Sequence, residues 1–456
     1  MGALAVRNGG RIGLATLAAI LLLGLGLRLG ESWDGRAPVY DAQAYAAIAA
    51  NLERGEGFTA GAGATQPSSN YSPGLPLLVA GLYEASGGTH ERFARVVLAL
   101  IGTLAVLFAY LIGRRLSGVA AGLIGAAAVA IYPALLEYQG MLMSEPLAAT
   151  LLSGAVLAMF WAADPERSHP RVRWVLPGLL LGALALVRPE YLGVIVLLAV
   201  VVALRGVRGD WRLSIVQAAV MLAAALVVVA PWTIRNAVAL DRFVPVSTGG
   251  GQVLFAGTYL PSGGDPEKVG AEVVGRHPEI FDPADARRLR LEQILARLAA
   301  HRYPDLETDQ ALSRMGRERF WDDLTGQPLE YAGFTAAKVA RVWTYGSRQI
   351  VREPPWELLH WALVALGLLG LAELALPRGS LVAYTETKEP REPWGHWEAA
   401  VIATVFVAIT ALSALLVASP RRALVMLPLL AALAGVGAVW LWSVLSRGRT
   451  SPGTSA

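Results

Sequence analysis

The feature that most constrains this chain is a series of uninterrupted apolar stretches of about 20 residues, the length at which an α-helix crosses the hydrocarbon core of a bilayer. Ten of them run at 12–29, 93–113, 116–136, 144–163, 174–187, 190–204, 213–233, 356–376, 397–418 and 423–445. An eleventh, 71–87, is short, opens with Pro73, Gly74 and Pro76, and contains Glu84, which argues against a crossing. The expectation is an all-α, polytopic membrane protein of about 10 to 11 transmembrane helices. Composition agrees: 55% of the residues are hydrophobic and 16% charged, against about 25% charged in an ordinary soluble domain, which rules out a soluble enzyme. Cysteine is absent, so neither a disulfide nor a thiolate nucleophile or ligand is available. A formal charge of +4, scattered along the chain, does not fit a nucleic-acid partner. Only Lys268, Lys338 and Lys388 among the 39 basic residues are lysines, so arginine in place of lysine is weak evidence at any single position.

Each crossing inverts everything after it, so the parity of the count matters, and the positive-inside rule decides it. With a cytoplasmic N-terminus (Arg7, Arg11) and no crossing at 71–87, the inner loops carry Arg114 and Arg115, then Arg167, Arg171 and Arg173, then Arg205, Arg208 and Arg212, then Arg378, Lys388 and Arg391, and finally Arg447 and Arg449. Every basic short loop then falls on one side, and both termini are cytoplasmic. The first segment resembles a signal peptide but has no clear small-x-small cleavage site, so it reads as an uncleaved anchor. The organisation expected is an N-terminal transmembrane module over 1–233 with a first external loop at 30–92. An extracytoplasmic, mostly helical loop follows over 234–355, then C-terminal transmembrane helices over 356–456. Prolines at Asp282-Pro283 and Gln327-Pro328 mark helix starts in that large loop, and Leu329, Phe334, Val339 and Trp343 form a periodic face suited to a membrane surface. No internal repeat or inverted duplication of spans is visible.

With this topology Asp41, Glu145, Arg188, Glu190, Arg235, Asn236, Arg421 and Arg422 all fall at the external membrane boundary. Ionisable groups near hydrocarbon cost about 2.5–3.5 kcal/mol at mid-span and less at its edge, so they usually face a partner or a wet cavity. Several at one level point to one polar chamber. Asp41 precedes an amphipathic helix and shares its apolar stripe with Tyr45 and Ile48, an odd place for a carboxylate. It reads as a helix N-cap or as a general base at the membrane surface. Arg188-Pro189-Glu190 reads either as a tight turn with an internal ion pair or as a turn that offers Arg188 to phosphate oxygens. Arg421 and Arg422 sit on an external turn, where the topology rule disfavours positive charge, and that exception favours function. Glu145 either complements a helix dipole or lines the chamber. Arg235-Asn236 ends a span, where snorkelling is an equal account. The six histidines show no ligand spacing, there is no Asp-x-Asp pair, and "STGGGQ" lacks the lysine of a phosphate loop.

The ordered segments "YDAQAYAAIAANLERGEGF", "NYSPGLPLLVAGLYEASG", "MLMSEPLAATLL", "LALVRPEYL", "PWTIRNAVALDRFVPVSTGGG", "QPLEYAGFTAAKVARVW" and "SPRRALVMLPLL" resemble the bacterial branch of the dolichyl-phosphate-mannose protein mannosyltransferase superfamily. This is glycosyltransferase family 39, of the GT-C fold, and it includes aminoarabinose transferases acting on lipid A. The resemblance covers most of the chain. It implies juxtamembrane helices in the first external loop, a polyprenyl-phosphate sugar as donor, and a site on the extracytoplasmic face. The acceptor would be a hydroxyl of a glycan, lipid or protein. Asp41 matches the family's first-loop catalytic acid. Ala42 follows it where many relatives carry a second acid, and Tyr71 and Ser72 stand where some relatives place an acid or lysine. With one carboxylate at the motif, metal independence is expected, and no cofactor. The site so expected comprises Asp41 as base, Arg188, Arg421, Arg422 and Arg235 as donor-phosphate ligands, and Tyr45, Tyr71, Glu145, Glu190 and Asn236 in support. The rival class is a transporter or flippase of lipid-linked sugars, which predicts symmetric halves and polar groups at mid-membrane depth.

Overall fold

The computed structural model describes residues 2–33, 38, 41–60, 64–165, 167–208, 210–344, 349–376 and 395–447. In hydrocarbon a backbone N–H or C=O has no partner but another backbone group, so spans are helices, and helix dominates here. The helices in order are α1 (Gly2–Trp33), α2 (Asp41–Glu53), α3 (Gly74–Ser86), α4 (Glu91–Ser117), α5 (Val119–Ile131), α6 (Pro133–Gly140), α7 (Ser144–Ala162), α8 (Val175–Val187), α9 (Tyr191–Leu204) and α10 (Trp211–Leu240). After them come α11 (Gly250–Thr258), α12 (Val269–Arg276), α13 (Asp285–Arg288), α14 (Leu291–Arg302), α15 (Thr308–Gly326), α16 (Pro328–Thr344), α17 (Trp356–Ala375), α18 (Gly395–Leu415), α19 (Pro420–Val425) and α20 (Leu427–Arg447).

Among the described residues seven helices are long and apolar enough to cross a membrane: α1, α4, α7, α10, α17, α18 and α20. The pair α5 and α6, bent by 47°, makes an eighth if taken as one span. The protein is therefore a multi-pass membrane protein, with fewer full-length spans than the ten to eleven expected. The shortfall lies at 174–187 and 190–204, which form helices of 13 and 14 residues; at 1.5 Å per residue these reach about 20 Å, short of the ~30 Å core. Because α8 and α9 come as a pair across the Arg188–Glu190 turn, they leave the parity unchanged. The 71–87 stretch holds only the 13-residue α3.

The bundle has two chemically different ends. At one, Arg115 of α4 pairs with Glu398 of α18 at 2.8 Å, Arg205 donates to the Ala163 carbonyl at 2.5 Å, and Arg173 donates to the Asp164 carbonyl at 2.6 Å. The basic loops after α4, α7 and α9 thus gather together. Arg378, Lys388, Arg391 and Arg449, expected with them, lie outside the described residues, as do the side chains of Arg7, Arg11, Arg208 and Arg447. At the other end meet the N-termini of α4, α7 and α9, the C-termini of α6 and α8, and α19.

The break between α5 and α6 follows from one residue. Pro133 has no N–H to offer the carbonyl four residues back, Val129, and a freed carbonyl in an apolar interior needs a donor. Arg28 of α1, 1% exposed, supplies it: its guanidinium donates to Val129 at 3.3 Å and Ala130 at 3.4 Å. A similar clamp sits at the end of α6, where Arg95 donates to the Gly140 carbonyl at 2.6 Å. The start of α3 lies so close to the end of α8 that a Cβ on Gly74 would come 2.6 Å from Val187 Cγ2 and 2.8 Å from its nitrogen. Gly74→Ala should therefore destabilise by about 1–3 kcal/mol through overpacking. The check is a lowered thermal midpoint in detergent, and an unchanged midpoint would contradict this close approach.

The segment between α10 and α17 carries an apolar core of its own, in which Phe255, Tyr259, Val273, Leu295 and Leu312 are buried. Helix α16 starts at Pro328, as the sequence indicates. Its buried face is Tyr331, Phe334, Lys338 and Val342, packed inward toward α18, while Leu329 is 89% exposed. The membrane-surface stripe expected there is therefore rotated. Lys338 is the reason: its ammonium donates to Gly257 at 2.5 Å and Ala414 at 2.7 Å, tying α16 to α11 and α18. Burial, with a smaller push from Arg422, brings Lys338 down to about 7. Between about 7 and 10.5 the unfolded lysine holds more protons than the folded one, so this group makes stability rise with pH across that window. Thermal midpoints of wild type and Lys338→Met should differ in pH slope there, with the variant the flatter; parallel slopes would refute the assignment.

Candidate active site

Four segments far apart in sequence each deliver an ionic side chain to the end of the bundle opposite the basic loops. Asp41 is the first helical residue of α2. Glu145 sits in the first turn of α7, where the helix dipole favours a carboxylate. Arg188 ends α8 because Pro189 follows it, and a residue before proline leaves the helical region; its backbone is extended, with φ −142° and ψ 98°. Arg421 rides on α19, whose first residue is Pro420, a favoured helix start.

These groups form a continuous ionic chain. Arg421 Nη1 donates to Asp41 Oδ2 at 2.7 Å, and its Nε donates to Glu145 Oε1. Glu145 Oε1 also accepts from Arg188 Nη2 at 3.3 Å, and Arg188 Nε lies 3.6 Å from Glu190 Oε1. The chain is driest at its centre: side-chain exposure is 37% at Asp41, 28% at Arg421, 0% at Glu145 and 13% at Arg188. Burial alone would weaken the proton affinity of Arg421, but Glu145 and Asp41 outweigh it and hold the guanidinium above the usual arginine value. The Arg421 guanidinium also lies over the Tyr138 ring at 5.9 Å. Several polar atoms here are buried without a hydrogen-bond partner: Glu145 Oε2, Ser144 Oγ, Arg188 Nε and Tyr191 Oη. Unsatisfied groups clustered at one spot mark a place where a polar ligand would be stabilised.

Beside Asp41 opens a cavity of about 690 Å³. Asn70 and Tyr71 line it from the loop before α3, and Arg242, Gln252, Glu292 and Asp309 from the segment between α10 and α17. Tyr71 stands edge-on to Tyr45, ring centroids 5.7 Å apart, and Tyr45 is buried beneath it. Burial, reinforced by the nearby Asp41 charge, raises the Tyr71 phenol above its ordinary value. Asp309 Oδ1 accepts from the Gly249 and Gly251 nitrogens at 3.0 and 2.8 Å, so the "STGGGQ" glycines form a capped helix start on the cavity wall.

Of the expected site residues, the structure brings together Asp41, Glu145, Arg188, Glu190 and Arg421, with Tyr45 and Tyr71 at their edge. It does not bring in Arg235 or Asn236. The Arg235 guanidinium donates to the carbonyls of Ser68 at 2.8 Å and Phe58 at 3.1 Å and stacks on Trp232 at 4.9 Å, while Asn236 donates to Val244 and Val246, both at 3.1 Å. Both fasten loops, because a span that ends in irregular backbone leaves carbonyls to satisfy. Arg422, next to Arg421 in sequence, points elsewhere: it donates to the Val417 carbonyl at 2.5 Å and lies 3.4 Å from Ser413 Oγ. Neighbouring residues on a helix do not share a face, so only one of the two arginines reaches Asp41. The sequence reading missed Tyr138, Tyr191, Arg242 and Asp309. Tyr138 and Tyr191 border the motifs around Glu145 and Arg188, but Arg242 and Asp309 belong to loops whose approach only the fold reveals. Among the described residues no three His, Asp or Glu side chains gather as metal ligands.

Fold and site define a multi-pass, all-helical membrane protein with an ionic pocket at one end of its bundle, in the GT-C architecture that the motif order resembles. Residues 70–234 match the family model of dolichyl-phosphate-mannose-protein mannosyltransferases. The fold is shared with the archaeal oligosaccharyltransferase AglB of Archaeoglobus fulgidus, solved in complex with an inhibitory peptide and a dolichol-phosphate. That match has 15% identity and a TM-score of 0.55, over 97% of this chain and 52% of that one. An Archaeoglobus fulgidus oligosaccharyltransferase in complex with Zn and sulfate matches at 15% identity and TM-score 0.55, over 95% of this chain and 50% of that one. The chain thus spans about half the length of the oligosaccharyltransferase chains it matches. ArnT from Cupriavidus metallidurans, bound to undecaprenyl phosphate, aligns over 97% of this chain and 79% of its own at 17% identity and TM-score 0.40. No curated protein sequence matches the chain.

Proposed function

We propose that the protein is an integral-membrane glycosyltransferase that moves a hexosyl or pentosyl sugar from a polyprenyl-phosphate donor to an acceptor hydroxyl of a protein, glycan or lipid. The observation that carries this reading is the Asp41–Arg421–Glu145–Arg188 chain opening on a cavity beside Asp41. Only Oδ2 of Asp41 is engaged by Arg421, which leaves Oδ1 to accept a proton. The acceptor oxygen attacks the anomeric carbon and its proton passes to Asp41. The bond from that carbon to the phosphate oxygen breaks, and the phosphate departs with the electron pair. Arg421, with Arg188 behind it, stabilises the leaving anion; Arg422 acts at most at longer range. The polyprenyl tail of the donor lies along the apolar faces of the first spans and α3. Metal independence belongs to the proposal, because Asp41 and Glu145 are already paired with two guanidinium groups, Arg421 between them and Arg188 on Glu145. The site faces the extracytoplasmic side if the basic loops are cytoplasmic, as the distribution of arginine favours.

A flippase calls for polar groups at mid-membrane depth; here the ionic chain sits at helix ends. Membranes containing the protein, incubated with radiolabelled polyprenyl-phosphate sugar, should pass label to protein, glycan or lipid in a time-dependent way. Label that changes leaflet without changing its covalent carrier would replace the transferase by a flippase.

A further inference from the structure

The basic end of the bundle carries a second site that the transfer reaction does not use. Between α4, α7 and α8 runs an apolar groove of about 1020 Å³, at the upper end of the ~300–1,000 Å³ typical of small-molecule sites. Leu104 and Phe108 of α4 face Leu157 of α7 and Leu176 of α8 across it. Gly154 opens the wall: a Cβ there would meet the Phe108 ring at 3.0 Å, so the missing side chain lets that ring lie against α7. The groove ends at Arg114, Arg115 and Arg167 and continues past Trp161 into an adjoining cavity of about 600 Å³ that also contains Arg173.

The charges at this mouth are uneven. Arg115 is paired with Glu398 at 2.8 Å and Arg167 with Asp164 at 3.0 Å, whereas Arg114 is exposed and makes no ion pair among the described residues. Arg173 is 7% exposed; its Nη1 reaches the Asp164 carbonyl at 2.6 Å, but its buried Nε has no hydrogen-bond partner. Among the described residues four guanidinium groups thus meet two carboxylates, and no acid lines either cavity. A ligand that satisfies this mouth carries an anionic head with several acceptor oxygens and an apolar chain to fill the groove. Basic pockets between transmembrane helices have that chemistry in common with lipid-headgroup sites.

We propose that this groove is a specific site for an anionic glycerophospholipid of the surrounding bilayer, its phosphate among Arg114, Arg167 and Arg173 and one acyl chain along the Phe108–Leu157 wall. The assignment is independent of the transferase reading, since neither the ionic chain at the opposite end nor any of its residues takes part. The test is native mass spectrometry of the full-length protein reconstituted in equal amounts of phosphatidylglycerol and phosphatidylcholine. The wild type should retain phosphatidylglycerol in preference to phosphatidylcholine. Each basic residue near a lipid headgroup is worth roughly fivefold, so the variant R114Q/R167Q should lose about 25-fold of that preference. Leu157→Trp, which fills the groove without touching charge, should lower retention of both lipids. Equal retention of the two lipids by the wild type, an undiminished preference in R114Q/R167Q, or unchanged retention in Leu157→Trp would each overturn the proposal. So would recovery of a polyprenyl phosphate as the retained species, which would make the groove part of the donor path.

Discussion

Asp41→Asn should lower sugar transfer by about 100- to 10,000-fold, the range that a positioned general base contributes, and leave the protein folded. The two halves of that expectation have separate physical grounds. Asparagine keeps the shape of the side chain and an oxygen that can accept from Arg421, and the Asp41–Arg421 pair, 37% and 28% exposed, belongs with ion pairs that contribute about 0–1 kcal/mol at the surface. The thermal midpoint should therefore move little. What asparagine cannot do is take a proton from the acceptor as it attacks. Donor binding should persist, because the guanidinium groups proposed to hold the phosphate are untouched, and binding of labelled donor to the purified variant checks that. Turnover at the wild-type rate in Asp41→Asn would remove the carboxylate from the mechanism, whatever the rest of the geometry suggests.

Sequence and structure part company in instructive places. The apolar blocks made the helical, membrane-spanning class legible, because a period of hydrophobicity that fills a bilayer has few other uses. Span count was less so: 174–187 and 190–204 are as apolar as their neighbours, and only their length in helix shows them to be short. Polar residues at helix ends were legible as a group, since charge beside hydrocarbon is expensive, and Asp41, Glu145, Arg188 and Arg421 do meet. Their division of labour was not. Arg421 and Arg422 are adjacent and chemically identical, and which one faces Asp41 depends on the rotation of a six-residue helix. Arg235 looked like a ligand because a charge at a span end has two equally good reasons to exist; the irregular backbone at Phe58 and Ser68 supplied the structural one. Arg28 was invisible as a clamp until Pro133 was seen to strand a carbonyl more than a hundred residues away. Local pattern gives the class of environment, whereas partners distant in sequence decide the use.

Arg421→Ala should both unfold the site and stop transfer, and the two effects can be told apart. Glu145 is fully buried and holds Arg421 on the same oxygen that accepts from Arg188 at 3.3 Å. Arg421→Ala leaves this buried carboxylate only the longer Arg188 contact, and removing one partner of a buried pair typically costs about 3–5 kcal/mol. The thermal midpoint of Arg421→Ala should fall accordingly. Adding Glu145→Gln removes the stranded charge, so the double variant should recover most of that loss. Transfer should not recover, because the anion leaving the sugar has lost the guanidinium proposed to stabilise it, an effect worth about 100- to 1,000-fold in turnover when one such donor is deleted. Arg421→Lys is the third arm: an ammonium keeps the charge, but as a compact point charge it has no planar fork with which to engage Asp41 and Glu145 together, and it should restore stability more fully than activity. If the double variant transfers sugar at the wild-type rate, Arg421 is a structural strut, and the leaving phosphate must be met by Arg188 alone.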